Sequence, residues 1–548
     1  MYSVSDTIWV LIGTILVFFM QAGFAMLESG FVRLKNSANV AMKNVTDFIL
    51  GSLAFWIIGF GLMYNGGGRI IGSIDFFAGG SYVKNIPDNL YVIYQMVFCC
   101  TSATIASGAL AGRMKFSSYC VYSVIMSALI YPISGHWAWG NGFLEQLGFH
   151  DFAGGAVVHM AGGMAAIASA AILGPRMGKY SNNKRFSNVI QGHNLVISTL
   201  GVFILWLGWF GFNGSSTMTI SDDASIKVVS DIFFNTLIAG AAGGVTMLFA
   251  SWYRYGKSDI SMTLNGILAG LVGITSGCDT VSAISALIIG VIVSLVLMAS
   301  IEFIDLVLHI DDPVGAFSVH GVSGALGIIL TGIFARDGGL FYGYGIGLLK
   351  VQLLGVLCIA LWVLITVGVL MLILKYTIGI RISKDAEMLG ADKTEHGYTG
   401  NDPAYSINYY SEIDKEKIGE LTDNIVNRNY KADGRIHNVV IITRENKICE
   451  LKEALNEIGI TGLTISTVLG CGVQKGHLQD FYRGVENEVE LLPKVKVEIV
   501  IANIPLQSVI DCAQRVLKTG AAGDGKIFVY DVDDVVRIRT NEKGLNAL

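Results

Sequence analysis

The stretch Asp151-Phe-Ala-Gly-Gly-Ala-Val-Val-His159-Met-Ala-Gly-Gly-Met-Ala-Ala places an imidazole inside an apolar, glycine-rich segment long enough to cross a bilayer. Titratable side chains are costly in hydrocarbon and usually line a substrate path or a bundle interior. A histidine that only hydrogen-bonds between helices is the alternative. A second stretch, Ala316-Phe-Ser-Val-His320-Gly-Val-Ser-Gly-Ala-Leu-Gly, repeats the pattern of aliphatic residue, histidine and small residues. The sequence therefore predicts two histidines in separate helices that face each other across one lumen.

The charge distribution divides the chain into a lipid-embedded part and a water-soluble part. The 548 residues are 52% hydrophobic and 15% charged, and residues 1–380 carry 17 Lys/Arg and 17 Asp/Glu, against 21 and 26 in the shorter remainder. A net charge of −5 does not suggest a nucleic-acid partner. The eight cysteines form no CxxC pair, so they indicate neither a zinc site nor a disulfide framework.

Eleven segments before residue 380 meet or approach the roughly 20 apolar residues that a membrane-spanning helix needs. The first segment lacks a basic leader and is not interpreted as a cleaved signal. The loops after odd-numbered segments, counting residues 376–400 after the eleventh, hold 14 Lys/Arg, and the loops after even-numbered segments hold 4. Because positive loops stay in the cytoplasm, the N-terminus is expected outside and the chain after the eleventh helix in the cytoplasm. The predicted segments are 7–30, 44–66, 90–112, 119–138, 154–174, 193–213, 228–253, 262–277, 280–304, 314–334 and 341–375.

The two histidine segments are the fifth and the tenth, so this part of the chain divides into two sets of five helices plus one extra helix. An odd number of helices per set makes the second set inverted relative to the first. Inverted repeats commonly place a substrate path at their interface, near the middle of the membrane. The sequence therefore predicts a polytopic α-helical membrane protein with a 5+5 inverted repeat and a central path.

Aromatic and hydroxyl residues near the ends of the fourth and sixth segments are candidates for a cation site. Trp139 lies in His136-Trp-Ala-Trp-Gly-Asn-Gly, and Ser216 ends the run Trp206-Leu-Gly-Trp-Phe-Gly-Phe-Asn-Gly-Ser-Ser. A tryptophan face beside hydroxyls suits a small cation, through an attraction worth about 1–2 kcal/mol when desolvated. Tryptophan as a plain interfacial anchor is the alternative. The absence of an acidic ring or a TVGYG-type run disfavours an ordinary cation-channel filter.

Residues 1–400 resemble an ammonium transporter of the Amt/Rh family. The resemblance rests on the Asp151 to His159 motif, on Gly208-Trp-Phe-Gly-Phe-Asn-Gly-Ser-Ser216, and on Asp311-Asp-Pro313 before Phe317-Ser-Val-His320-Gly-Val. The resemblance implies a role for each of several residues: Trp139 and Ser216 as the external ammonium site, Phe98 and Phe212 as a stacked phenyl gate, His159 and His320 as hydrogen-bonded twin histidines, Tyr94 as a mouth residue, and Asp151 as a structural and electrostatic group.

The chemistry of ammonium suits these residue types. Ammonium is close to potassium in size and charge, so selection must use its N–H donors and its removable proton. A narrow apolar lumen makes the bare charge expensive, and two coupled imidazoles can relay a proton. Electrogenic transport and the passage of neutral ammonia both fit these residues.

The soluble part is predicted to be a tether followed by a small α+β domain. Residues 401–434 are polar and mixed in charge, with one short helix at 412–426, and a flexible chain of that length has a reach of about 30–35 Å. Residues 435–548 then follow a βαββαβ, ferredoxin-like order. The predicted strands are 439–442, 463–469, 494–502 and 526–530, and the predicted helices are 447–458 and 507–518.

Two glycine-rich turns in this domain are candidates for ligand contacts. Gly470-Cys-Gly-Val-Gln-Lys-Gly476 opens a long polar loop that runs to Pro493. Gly520-Ala-Ala-Gly-Asp-Gly-Lys526 matches GxxxxGK, but Ile527 replaces the Ser/Thr of a P-loop and a strand follows. Its backbone amides, with Lys526, Arg537 and Arg539, indicate a polyphosphate nest, and a plain hairpin with solvated basic residues is the alternative.

Residues 436–548 resemble a PII signal-transduction protein. The motifs are Gly459-Ile-Thr-Gly-Leu-Thr464, Gln474-Lys-Gly-His477, Tyr482-Arg-Gly484, Leu492-Pro-Lys-Val-Lys496, Thr519-Gly-Ala-Ala-Gly-Asp-Gly-Lys-Ile-Phe528 and Arg537-Ile-Arg-Thr540. The resemblance implies a trimer that binds ATP or ADP, and 2-oxoglutarate through Mg-ATP. It assigns nucleotide contacts to Thr464, Gly472, Gln474, Gly523, Asp524, Gly525, Lys526, Arg537 and Arg539, 2-oxoglutarate contacts to Gln474, Lys475 and Lys494, magnesium to Gln474, and a pore-blocking T-loop to Tyr482 and Arg483.

Together these features predict a homotrimeric ammonium transporter, not an enzyme, in a prokaryotic inner membrane, with a PII regulator fused at its C-terminus. Transport itself needs no cofactor, and the regulatory ligands are ATP or ADP, magnesium and 2-oxoglutarate. Asn487 stands in place of the tyrosine that many bacterial homologues uridylylate, so that switch is expected to be absent. An ammonium sensor that signals through the PII domain with little transport is the alternative function.

Overall fold

The computed structural model describes residues 2–180, 187–398, 430–444, 447–470, 479–482, 485–488, 492–520 and 523–548. They form two compact units: Met1–Ser383 with Gly390–His396, and Lys384–Leu389 with Gly397–Leu548. The helix predicted at 412–426 lies outside the described residues.

Eleven helices of the first unit correspond to the eleven predicted segments. Ten of them are long and apolar enough to cross a membrane, and the eighth is a shorter apolar helix. In order they are α1 Val4–Phe31, α2 Leu34–Tyr64, α3 Asp88–Ala109, α4 Phe116–Gln146, α5 Gly155–Leu173, α6 Leu195–Thr217, α7 Asp223–Tyr255, α8 Ile260–Thr275, α9 Ala283–Leu308, α10 Phe317–Phe334 and α11 Gly347–Thr377. The predicted multi-helix membrane fold is confirmed.

Several helices begin before the predicted apolar segment because a polar side chain caps their first turn. Asp222 accepts a hydrogen bond from the backbone N–H of Ser225, which starts α7 five residues ahead of the predicted 228. A carboxylate at this position satisfies a donor that the helix itself leaves unpaired. Hydropathy does not register such polar first turns, so it placed the boundary at the first apolar residue.

Helices five places apart in the chain share a local distortion. The fourth and ninth contain π-helical turns at Met126–Ile130 and Ile304–Leu308, and the fifth and tenth contain them at Gly155–Met160 and Phe317–Val322. Turns of this kind are rare and concentrate at functional sites. The second helix also contains one, at Phe55–Gly59, whereas the seventh is a continuous α-helix. The fifth and tenth helices match in having the turn at their start, and this pair carries both histidines.

The two helices that carry the histidines cross at a pair of glycine residues. A Cβ atom added at Gly163 of α5 would lie 2.1 Å from the backbone nitrogen of Gly321 in α10. That separation is far shorter than any van der Waals contact, so only glycine permits this crossing. The close approach holds the two histidine-bearing turns together.

Gly163→Ala is expected to destabilise the protein by about 1–3 kcal/mol, because the added methyl group forces the two helices apart. Gly368→Ala in α11 is the matched control, since a Cβ there meets nothing within 4 Å. The thermal midpoint of each purified variant in detergent is the measurement. Equal midpoints for the two variants would contradict the prediction.

Two short helices follow α11, namely α12 Lys384–Leu389 and α13 Ala391–His396. Asp392 of α13 accepts hydrogen bonds from the backbone N–H groups of Ala38 (3.1 Å) and Asn39 (2.7 Å) near the start of α2. A carboxylate at a helix N-terminus is favoured by the unpaired donors and the helix dipole. The last part of the tail is thereby attached to the first unit.

The second unit is built on a four-stranded antiparallel sheet in the order β2-β5-β1-β6. Its strands are β1 His437–Thr443, β2 Thr464–Gly470, β5 Leu492–Ile501 and β6 Lys526–Asp531, and its helices are α14 Ile448–Glu457 and α15 Leu506–Leu517. Val439 and Ile441 pair with Ile499 and Val497, and all four are buried with apolar residues of both helices. The predicted βαββαβ order is confirmed.

The long loop predicted between β2 and β5 differs from the prediction in one respect. It contains a hairpin in which β3 Gln479–Tyr482 pairs with β4 Val485–Glu488. Four-residue strands in a polar stretch carry no apolar alternation, so the sequence pattern did not indicate them.

Candidate functional site

A vestibule of about 220 Å³ opens at one end of the helix bundle. Its lining includes three side chains that were predicted for the mouth, namely Tyr94, Trp139 and Ser216. Phe98 also lines it. The Ser216 hydroxyl donates to the carbonyl of Phe212 at 2.8 Å and lies 3.1 Å from the Tyr94 hydroxyl. Its oxygen therefore keeps acceptor capacity for a donor that enters the vestibule.

Trp139 is held by its own N–H group. The indole Nε1 donates to the backbone carbonyl of Asp151 at 2.7 Å. The nitrogen is thus occupied, and the ring is what Trp139 can offer to a cation. Glu145 also lines the vestibule, a carboxylate that the sequence analysis did not single out.

Two stacked phenyl rings separate the vestibule from the interior. The ring centroids of Phe98 and Phe212 lie 4.2 Å apart with an interplanar angle of 33°. Both side chains are buried, and the Phe98 ring also packs against those of Tyr94 and Trp139. A contact this close leaves no room for a hydrated ion between the rings.

Immediately beyond the rings lie the two predicted histidines. His159 Nδ1 and His320 Nδ1 are 3.3 Å apart, so one nitrogen donates and the other accepts. Both side chains are buried. Among the residues that the structure describes, His159 Nε2 has no hydrogen-bond partner. The pair therefore offers a free nitrogen and an exchangeable proton side by side.

Trp209 belongs to this histidine pair and not to the outer cation site where its sequence run suggested a tryptophan face. Its ring stacks on His159 with centroids 4.9 Å apart, and its Nε1 donates to the Thr275 hydroxyl at 3.0 Å. Its position three residues before Phe212 places both rings on one side of α6. That spacing was the available signal.

Asp151 organises the start of the fifth helix. Its carboxylate accepts four backbone hydrogen bonds at 2.7–3.1 Å, from residues 154, 155, 156 and 157. Burial raises the pKa of the Asp151 carboxyl, and the four backbone donors act in the opposite direction. The carboxylate is engaged with the helix N-terminus, at the vestibule end of the His159 helix.

Asp312 plays the same part for the tenth helix, and the sequence analysis did not assign it a role of its own. It accepts from the backbone N–H groups of Gly315 (3.1 Å) and Phe317 (2.9 Å). It precedes His320 by eight residues, the separation of Asp151 from His159. That shared spacing is the signal that could have identified it.

The neighbouring Asp311 is an ion-pair residue. Arg176 donates to its two carboxylate oxygens from Nε and Nη2, each at 2.7 Å. Burial opposes ionisation of Asp311, but the guanidinium groups of Arg176 and Arg113 hold its pKa well below the usual range. The Asp-Asp-Pro run thus contains two carboxylates with different partners.

The glycine turn of the second unit contains four predicted nucleotide contacts. Asp524 accepts from the backbone N–H groups of Thr519 (2.7 Å) and Gly520 (2.9 Å), and its pKa is lowered mainly by hydrogen bonds from Thr519. Gly525 has φ +113°, and a Cβ there would lie 2.0 Å from the Ile442 carbonyl oxygen. Asp524, Gly525 and Lys526 border a cavity of about 470 Å³.

Other predicted ligand residues are distributed around this turn. The Lys494 ammonium donates to the Gly523 carbonyl at 3.3 Å. Arg537 is bound internally, to Glu542 at 2.7 Å and to the carbonyls of Ala547 and Leu548, whereas Arg539 is exposed. Thr464 begins β2 and Tyr482 ends β3. Gly472, Gln474, Lys475 and Arg483 lie outside the described residues.

Comparisons with known proteins agree with both parts of this architecture. The Ammonium Transporter Family profile matches residues 8–401, and that of Nitrogen regulatory protein P-II matches residues 436–542. Ammonium transporter Amt2 of Archaeoglobus fulgidus is 45% identical over 416 residues, which is 71% of this chain and 87% of that protein.

Solved structures are similar over the same region. A structure titled Sensor Amt Protein is 37% identical with a TM-score of 0.68, covering 72% of this chain and 98% of its own. Mep2 of Candida albicans is 29% identical with a TM-score of 0.66, covering 73% and 92%. The chain therefore belongs to the ammonium transporter family, a family of transporters and not of enzymes, and carries a P-II nitrogen regulatory domain at its C-terminal end.

Proposed function

We propose that the protein is a homotrimer in a prokaryotic inner membrane that moves ammonium inward through the lumen between the vestibule and the histidine pair. The observation that carries this proposal is the unbroken series of Ser216, the two phenyl rings and the two histidines. The N-terminus then lies outside and the regulatory domain in the cytoplasm, following the positive charges of the loops.

Recognition begins in the vestibule. The Ser216 oxygen accepts a hydrogen bond from an ammonium N–H group, which potassium cannot donate. The ring of Trp139 attracts the positive charge through its π face, worth about 1–2 kcal/mol where water is excluded. Tyr94 supports this arrangement through its contact with the Ser216 hydroxyl.

The phenyl rings and the histidines then act on the charge. An ammonium ion that passes Phe98 and Phe212 loses its water, and an apolar lumen makes that loss expensive for a charged species. Deprotonation removes the cost, because ammonia crosses as a neutral molecule. The His159–His320 pair can carry the proton, since a shared proton passes between nitrogens 3.3 Å apart.

Regulation would be intramolecular. The P-II match and its fusion to the transporter support a domain that binds ATP or ADP, and 2-oxoglutarate with magnesium, at the residues assigned above. The glycine turn at 523–526 fits an anionic ligand, because Gly525 lets the backbone pass where no side chain would and Lys526 borders the adjoining cavity. A short tether raises the local concentration of the T-loop to about millimolar, so that Tyr482 and Arg483 would block the pore exit.

Ammonium-evoked current from the full-length protein in a supported membrane tests this proposal. Current with Mg-ATP and 2-oxoglutarate is expected to exceed current with ADP by at least about fivefold, because the two ligand states differ in their affinity for the blocking conformation. Arg483→Ala is the matched variant, and its current with ADP is expected to rise to the unblocked level. Equal wild-type currents in both conditions would indicate that the domain signals elsewhere.

An ammonium sensor is the second candidate, favoured by the 37% identity to the structure titled Sensor Amt Protein. Methylammonium uptake in a transporter-null cell separates the two functions. Robust uptake eliminates a sensor with little transport, whereas absence of uptake in cells that hold the protein in their membrane supports it.

A further inference from the structure

Helix α1 runs from the vestibule past the histidines. A Cβ at Gly13 would lie 2.0 Å from the Ser215 hydroxyl oxygen, beside the vestibule. Further along, the ring centroids of Phe24 and His320 lie 5.9 Å apart. Glu28 follows Phe24 by four residues, so it lies on the same helix face about 6 Å further along the axis.

The contacts of helix α3 follow the same order, from the phenyl rings past the histidines to Glu28. Phe98 lies in the phenyl gate, and the Ser102 hydroxyl donates at 3.0 Å to the carbonyl of Val158, the residue before His159. The next turns bring Ser107, whose hydroxyl donates to the Glu28 carboxyl. Two independent helices therefore place Glu28 beyond the histidines, on the side opposite the vestibule.

Gly108 lets Val314 pack closely beside this carboxyl. A Cβ at Gly108 would lie 2.4 Å from Val314 Cγ2 and 3.2 Å from Glu28 Cδ. Val314 precedes the His320 helix, between Asp312 and Phe317. The Glu28 carboxyl thus lies next to the chain that leads directly into the His320 helix.

The Glu28 carboxyl is buried, with 2% of the residue exposed, yet it forms no ion pair with any residue that the structure describes. Oε2 accepts from the Ser107 hydroxyl and from Asn44 Nδ2 at 3.1 Å. Among the described residues, no cation lies within 4 Å of either oxygen. Lys43 and Asp47, in the same helix as Asn44, are the charged groups that act on this carboxyl through space. A carboxyl whose hydrogen-bond donors are neutral can both take up and release a proton.

We propose that Glu28 is the proton acceptor that follows the twin histidines in the transport path. An imidazolium N–H bond of the pair breaks and an O–H bond forms on the Glu28 carboxylate, through lumen water. The resulting carboxylic acid then releases its proton towards the end of the lumen opposite the vestibule. This inference rests on the proposed transport function and adds a third titratable group to it.

Glu28→Gln in the full-length protein tests the inference. The glutamine keeps the size of the side chain and an acceptor for Ser107, but it cannot take up a proton. We expect the ammonium-evoked current to fall at least about tenfold, in the range of a positioned proton-transfer group, with the half-saturating ammonium concentration within about twofold of wild type. Passage of neutral ammonia, followed as alkalinisation inside proteoliposomes, is expected to persist.

Asp6→Asn is the matched control, because Asp6 is a buried carboxylate near the other end of α1 that accepts from the Thr219 and Ser221 hydroxyls. Its current is expected to stay within twofold of wild type. An unchanged current in Glu28→Gln, or equal losses in both variants, overturns the inference. If Glu28→Gln does not purify as a folded protein, Glu28→Ala, which also removes the titratable carboxyl, replaces it, and an undiminished current there overturns the inference too. A wild-type protein without ammonium current would instead refute the proposed transport function itself.

Discussion

His159→Ala is expected to reduce the ammonium-evoked current by about 100-fold or more, the range in which positioned proton-transfer groups act. The side chain is stacked between Trp209 and His320, and its Nδ1 is the partner of His320 Nδ1 at 3.3 Å. Alanine leaves an apolar gap with no group that can accept the proton. An ammonium ion that entered this gap would lose its hydration without compensation.

The current is measured from purified protein in a supported membrane, beside influx of neutral ammonia into proteoliposomes. His193→Gln is the matched control, because this histidine lies outside the lumen and contacts the Val32 carbonyl through Nδ1 at 3.0 Å. Its current is expected to equal that of wild type. An undiminished current in His159→Ala would exclude the histidine relay, and a wild type that passes only neutral ammonia would favour the gas channel over electrogenic transport.

Asp151→Ala is expected to destabilise the first unit by about 4 kcal/mol or more, because it leaves four backbone donors without their acceptor and each unpaired buried donor costs about 1–3 kcal/mol. Much of a typical free energy of unfolding, about 5–15 kcal/mol, would be lost. The Trp139 indole would also lose its fixed position, since it donates to the Asp151 carbonyl.

The free energy of unfolding is compared by thermal denaturation in detergent, with the yield of monodisperse protein as a second measure. Asp222→Ala is the matched control, an exposed cap of α7 whose loss typically costs about 1 kcal/mol. Asp151→Asn keeps one acceptor oxygen and is expected to fall between the two. If Asp151→Ala and Asp222→Ala were equally stable, the four hydrogen bonds would contribute far less than their number indicates.

Most of the architecture could be predicted from local sequence patterns. Apolar runs separated by charged loops predicted eleven helices, and alternation in the C-terminal part predicted a βαββαβ order. Helix ends such as the start of α7 were misplaced because polar capping turns are invisible to hydropathy. The short hairpin of β3 and β4 was missed because its strands lack apolar alternation.

For the candidate site, the residue types could be identified without the structure: two histidines in apolar segments, a phenylalanine and a serine on one helix, and a glycine turn before the last strand. Which of these residues meet depends on how the helices pack. The 3.3 Å contact between His159 and His320 joins two residues that are 161 positions apart in the chain. Trp209, which was expected near the outer end of its helix, stacks on His159 instead.

The position of Glu28 likewise depends on the packing of α1 against α3, through the hydroxyl of Ser107 and the close approach that Gly108 permits. The physical reason is one of range. Segment type follows from solvation and periodicity, which act over a few residues, whereas a site needs groups brought together by helix packing.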